Sequence, residues 1–265
     1  MSETGSISSL WIWSQRLLAA ILLGGQVVVR LFTGRIHRRN TLEQMAIAGP
    51  ASLLIVLMTA ICIGLVFTIQ VSREFINLGA ESAVGGVLAI ALSRELSPVL
   101  TAVVVAGRVG SAFAAELGTM RVSEQIDALY VLKTDPIEYL VIPRVLACCI
   151  MLPLLTVFSL FIGLGSGYLV ATNVYGISQT LFLESIQNFL KLWDLFSAPI
   201  KSLVFGAMIA VIGCSWGLTT TGGAKGVGQS TTTAVVTSLL AIFISDFLLS
   251  WVMFQGLGTS TITGM

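Results

Sequence analysis

Apolar residues gather into five long runs, at about residues 47–71, 83–106, 142–171, 199–220 and 232–255. Each is near or above the roughly 20 residues that a helix needs to cross a bilayer. A sixth stretch, within residues 8–34, is weaker: Leu17 to Val29 is apolar except for Gln26, with Arg16 and Arg30 at its ends and Trp11 and Trp13 before it. Tryptophan and arginine at the ends of a short apolar segment are interface anchors. This pattern predicts a helix lying in or dipping into the cytoplasmic leaflet, with a full span as the alternative. The pattern as a whole predicts an all-α integral membrane protein of five transmembrane helices, with residues 1–40 forming an interfacial helix and basic segment ahead of one membrane domain over 41–265.

Polar positions orient the spans. The cluster Arg35-Ile36-His37-Arg38-Arg39 marks a cytoplasmic side, which places the connections at 107–141 and 221–231 on that side as well. Ten lysines and arginines then fall inside against three outside (Arg73, Lys191 and Lys201), and Arg94 stays within the membrane. This asymmetry favours five spans with a cytoplasmic amino terminus. Asp135-Pro136-Ile137-Glu138 reads as the start of the third span, with Asp135 as N-cap, Pro136 at the first position and Glu138 reaching back. Gly163, Gly165, Gly167, Gly206 and Gly213 permit close helix packing.

Composition agrees. Of 265 residues, 55% are hydrophobic and 10% charged, and the mean hydropathy is +0.95. Soluble domains carry about 25% charged residues. The net charge of +1 gives no reason to expect nucleic acid as a partner. Cys62, Cys148, Cys149 and Cys214 lie in apolar runs without metal-ligand spacing, so no metal site is expected. The amino-terminal residues lack the pattern of a cleavable signal peptide or a plastid transit peptide. No His/Cys cluster, triad or paired carboxylates points to an active site, so covalent chemistry by this chain is not expected.

The candidate chemistry lies in one stretch, RELSPVLTAVVVAGRVGSAFAAELGTMRVSEQIDAL, from Arg94 to Leu129. Arg94 and Glu95 sit near the middle of the second apolar run, where ionisable groups cost a few kcal/mol each and mark cavities or function. Neighbours on a helix do not face each other, so each needs its own partner. Pro98 has no N–H, and it frees the carbonyl of Arg94. The alternative is that both charges anchor the outer interface. Arg108 and Glu116, further along, read as structural charges that cap or pair near the cytoplasmic interface. The segment from Ser123 to Leu129 reads as a short helix with Ser123 as N-cap and an apolar edge of Ile126, Leu129 and Tyr130. Asp246 is an intramembrane acid whose bland role is a hydrogen bond to a neighbouring Ser or Thr. GGAKGVGQST at 222–231 lacks the order of a phosphate-binding loop and reads as a turn contacting a partner.

That stretch resembles the signature of MlaE-type permeases, the membrane subunits of MCE-associated lipid ABC transporters. The likeness continues through KTDPIEYLVIPRVLA, LPLLT, IKSLVFG and ISDFLLSWVMF, and covers roughly residues 45–256. It implies a homodimer on a cytoplasmic pair of ABC ATPases, which hold the ATP-Mg, so this chain itself has no cofactor. It implies an MCE-domain protein as the other partner, and phospholipid or a similar hydrophobic molecule as substrate. Glu124, Gln125, Asp127 and Leu129 then fall on a coupling helix at about 123–130. Arg94, Glu95 and Pro98 fall at the lipid cavity. The expected location is the inner membrane, in a bacterial or cyanobacterial relative of the plastid lipid-import permease. An ion-driven secondary transporter using Glu95 or Asp246 is the competing reading, and a membrane scaffold is a third.

Overall fold

The computed structural model describes residues 3–33 and 37–256, with side chains over 13–31 and 37–254. Arg35 and Ile36 of the basic cluster and the side chain of Trp11 lie outside the described residues. The described residues form nine helices: α1 (Glu3–Thr33), α2 (Arg38–Ala48), α3 (Pro50–Asn77), α4 (Glu81–Val122), α5 (Gln125–Val131), α6 (Ile137–Asn173), α7 (Gln179–Phe189), α8 (Leu192–Leu218) and α9 (Gly223–Phe254).

By length and composition, six helical stretches among the described residues suffice to cross a membrane. The chain is thus a multi-pass membrane protein. Five of the six contain the five apolar runs. The sixth is Trp13–Leu31 of α1, the least apolar of the set, so length alone does not separate an interfacial helix from a span here. Outward faces of the long helices carry bare apolar side chains, such as Leu54, Phe158 and Phe247, which suit contact with lipid.

α4 and α6 outrun their apolar runs at both ends, and α8 and α9 begin well before theirs. α4 does not stop near Ala106 but continues to Val122, so the polar excursion begins sixteen residues later than hydropathy indicates. Gly107 and Gly110 do not break it because a π-helical turn at Ala106–Gly110 absorbs them. The Ser111 hydroxyl donates back to the Gly107 and Arg108 carbonyls. α8 begins at Leu192 and carries Pro199 inside it, which draws Asp194 into the helix. The expected turn at 222–231 is instead mostly the first turns of α9. In that segment only Gly222 and Gly223 adopt left-handed φ, of 87° and 67°, and the helix begins at the second of them. α2 and α7 were not foreseen, since neither is apolar enough to register as a span.

The chain divides into two compact units. One contains residues up to Ala48, Val105–Cys148 and Gly206–Ala241. Its core gathers Ala20 of α1, Ala114 of α4, Ile212 and Trp216 of α8 and Ala234 of α9. Gly213 makes the expected close approach, since a Cβ there would lie 2.9 Å from the Gly110 carbonyl oxygen. Arg144, almost fully buried in α6, pairs with Glu116 at 2.7 Å, and its guanidinium lies 5.5 Å from the Phe113 ring centre. The Asp135 carboxylate accepts from the Ile137 amide at 2.9 Å, as a helix cap does, and pairs with Arg30.

The other unit contains Gly49–Val104, Cys149–Phe205 and the residues from Ile242 onward. Its core joins Val84, Leu88 and Leu92 of α4 to Leu160 and Ala171 of α6 and Phe182 of α7. α3 and α6 touch backbone to backbone here: a Cβ on Gly64 would lie 2.3 Å from the Gly163 carbonyl oxygen. α7 docks on α4 through the Ser185 hydroxyl, which accepts from the Gly86 amide at 2.9 Å.

Candidate functional site

Arg94 and Glu95 lie in a π-helical turn of α4, Leu92–Leu96, that ends just before Pro98. The wide turn and the proline leave backbone oxygens without their usual donors. Lys201 of α8 fills that gap. Its Nζ donates to the Arg94 carbonyl oxygen at 2.7 Å, the oxygen that Pro98 has no N–H to satisfy. The same ammonium lies 3.0 Å from Glu95 Oε1, 2.8 Å from Asp246 Oδ1 and 2.7 Å from Ser250 Oγ. Ser250 Oγ in turn donates to Glu95 Oε1 at 2.8 Å. An ammonium has three protons, so these four acceptors share them.

Arg94 points to a different acid. Its Nε donates to Asp194 Oδ1 at 2.8 Å, and Asp194 Oδ2 accepts from the Lys191 amide. The guanidinium carbon lies 4.4 Å from the centre of the Phe254 ring, a cation–π contact. The adjacent pair thus serves two ion pairs, as helix geometry requires. Lys201 is 0% exposed and Asp194 2%, while Glu95 retains 45% and Arg94 33%. The fully buried partners fix the half-exposed ones.

The exposed edges of Arg94 and Glu95 open onto a cleft of about 490 Å³. Its other walls are Ile90 and Ala91 of α4 and Phe247, Ser250, Trp251 and Phe254 of α9. Pro98 is buried and does not line this cleft; its contribution is the freed carbonyl. Three aromatic rings and an aliphatic wall, with one cation and one carboxylate at the edge, suit an amphipathic ligand. Asp246 lies behind this wall, paired to Lys201 instead of to a hydroxyl.

Sequence reasoning missed Lys201, Asp194 and Ser250. Hydropathy begins the fourth apolar run at Pro199, which puts Lys201 at the outer interface. The signal was available: an intramembrane Arg94, Glu95 and Asp246 require a further cation, and Lys201 follows Pro199 by two residues.

Glu124, Gln125, Asp127 and Leu129 lie at the other end of the stretch. Ser123 is not the N-cap of α5. Its hydroxyl donates to the Thr119 carbonyl and closes α4, and Glu124 takes the N-cap position in the left-handed region at φ 60°. The Gln125 amide donates to Ser123 Oγ at 3.1 Å, and Asp127 pairs with Arg121 at 2.7 Å. Ile126 is buried and Leu129 half-buried, whereas Tyr130, Val131 and Leu132 point outward, the last two 83% and 72% exposed. Arg108 donates to the Ile47 carbonyl at 3.3 Å.

A family model described as Permease MlaE matches residues 41–252. The chain is 65% identical over 262 residues to a probable ABC transporter permease protein of Synechocystis sp., covering 99% of this chain and all of that one. It is 57% identical over 252 residues to the chloroplastic protein TRIGALACTOSYLDIACYLGLYCEROL 1 of Arabidopsis thaliana, covering 95% of this chain and 71% of that one. It is 44% identical over 214 residues to a probable ABC transporter permease protein of Rickettsia prowazekii, covering 81% and 83%.

Proposed function

The chain belongs to the MlaE permease family, and on that premise we propose that it is the membrane subunit of an ATP-driven transporter of phospholipid or a similar lipid. The observation that carries the lipid reading is the cleft beside Arg94 and Glu95. It is walled by Phe247, Trp251 and Phe254 and given a polar edge by two side chains locked from behind. Apolar walls accept acyl chains, and the guanidinium edge meets the headgroup. The Arabidopsis relative carries the name of a lipid, which supports the same substrate class.

The cytoplasmic ABC ATPase partner docks on α5. An acid at the N-cap and an outward apolar corner of Tyr130, Val131 and Leu132 give this short helix a surface that water alone would not favour. Only Ser123 and Glu124 separate it from α4, the helix that carries Arg94 and Glu95. Displacement of α5 by ATP-driven closure of the partner is thereby passed along one covalent segment. The chain works as a homodimer in the inner membrane, with its amino terminus in the cytoplasm, and hands lipid to or from an MCE-domain protein.

Replacing Arg94 and Glu95 together by Ala tests the lipid reading: ATP-dependent transfer of labelled lipid falls while the complex with the ATPase persists. Unchanged transfer by that variant would remove the cleft from the mechanism. One observation favours an ion-driven carrier as the second reading, namely Lys201 held between Glu95 and Asp246. Lipid movement driven by an ion gradient in the absence of any ATPase would establish that reading instead.

A further inference from the structure

Near the start of α9, a cleft of about 900 Å³ is lined by Trp13 and Arg16 of α1 and by Lys225, Gln229, Thr232 and Thr233 of α9. No carboxylate lines it, and among the described residues neither Arg16 nor Lys225 takes part in an ion pair. The Thr232 and Thr233 hydroxyls donate to their own helix backbone, at the Gly228 and Gln229 carbonyls. The donors left for a ligand are therefore the two cations, the Gln229 amide and the Trp13 indole.

The next turns of the same face of α1 are wholly apolar. Leu17, Ile21, Gly24 and Val28 line a groove of about 420 Å³, closed on the other side by Val211 and Ala241 among others. Arg16 to Val28 spans twelve residues, about 18 Å of helix, against the roughly 15 Å of hydrocarbon in one leaflet. A cationic cleft at Trp13 and Arg16, and an apolar groove about one leaflet long that begins one helical turn past Trp13 at Leu17, together match a single amphipathic anion. A soluble phosphate would use only the mouth.

We infer that this groove holds one anionic phospholipid, its phosphate between Arg16 and Lys225 and an acyl chain laid along α1 from Leu17 to Val28. The bound lipid covers the apolar face of α1 and ties that helix to α9. This inference does not depend on the transport reading, because it uses none of the residues around Arg94.

The test is photo-crosslinking of the full chain in phosphatidylcholine vesicles doped with phosphatidylglycerol carrying a diazirine at the acyl end. Labelled peptides are located by mass spectrometry. Labels should concentrate on residues 17–28, and Arg16→Glu with Lys225→Glu should lower them about tenfold or more, as two basic residues acting on an anionic lipid imply. A diacylglycerol probe without phosphate should label that segment weakly and be indifferent to the charge change. Gly24→Leu is a second variant that leaves the charges alone. A Cβ there meets Val211 Cγ1 at an ordinary 3.6 Å, and the longer side chain should occupy the groove and displace the label. Equal labelling by the two probes, or unchanged labelling in both variants, would overturn the inference.

Discussion

The Lys201 ammonium lies 2.7 Å from the carbonyl oxygen of Arg94, and Pro98, four residues further along α4, is the reason that oxygen needs a donor. A proline defect in one helix is thus repaired by a buried lysine from another. The repair brings a positive charge between Glu95 and Asp246, so a backbone defect and an ion cluster share one cation.

Lys201→Met should therefore be among the most damaging single changes in the chain. It removes the cation from a fully buried position and leaves two carboxylates and a carbonyl unpaired. Breaking a buried ion pair from one side costs about 3–5 kcal/mol. Thermal unfolding in detergent should show a large drop, and adding Glu95→Gln and Asp246→Asn to Lys201→Met should recover much of it.

Pro98→Ala should couple to Lys201. Alanine restores an N–H near the Arg94 carbonyl, so loss of the lysine then leaves one acceptor fewer unsatisfied. In a double-mutant cycle, Lys201→Met should be about 1 kcal/mol less costly in the Pro98→Ala background. Strict additivity would mean that the proline and the lysine act independently.

Arg94 and Asp194 should behave as a unit. Arg94→Ala strands Asp194, which is nearly inaccessible, and should destabilise by about 3–5 kcal/mol. Arg94→Met with Asp194→Leu should melt closer to the parent chain than either single change. Transfer assays on Arg94 variants should accordingly be normalised to folded complex.

These pairs show where the sequence was informative. Arg94, Glu95 and Asp246 were conspicuous because each is a charge in an apolar run, and the need for separate partners followed from helix geometry alone. The charge count called for a further cation, but hydropathy hid where the partners lie. Lys201 lies two residues after Pro199 and Asp194 five before it, and hydropathy reads a proline with charges nearby as a helix end, whereas α8 simply runs through it. The same weakness explains α4, which hydropathy ends near Ala106 although the helix runs on through a π-turn to Val122. Of the apolar edge expected on the short helix, Ile126 is buried and Leu129 half-buried, but Tyr130 faces outward. Ser123 is not its cap, because its hydroxyl satisfies the end of α4 instead.

α5 offers a separation of stability from assembly. The Arg121–Asp127 pair is exposed on both sides, so Asp127→Ala should change stability by less than about 1 kcal/mol. Val131→Asp with Leu132→Asp should also leave the fold intact, since both side chains already face out. Co-purification of the ATPase should nonetheless be lost in the Val131 and Leu132 variant. Retention of the ATPase would place the docking surface elsewhere.

On the proposed function, lipid passes through the cleft beside Arg94 and Glu95 under the drive of an ATPase. Ala91 lines that cleft and belongs to neither ion pair, so Ala91→Trp fills the space and leaves the charged residues unchanged. The direct measurement is ATP-dependent transfer of fluorescent phospholipid by reconstituted complex, comparing the parent chain with Ala91→Trp at equal ATPase content. Transfer should fall at least tenfold, about 1.4 kcal/mol or more of lost function, while ATPase association stays unchanged. Transfer at the parent rate with the cleft filled would contradict the account.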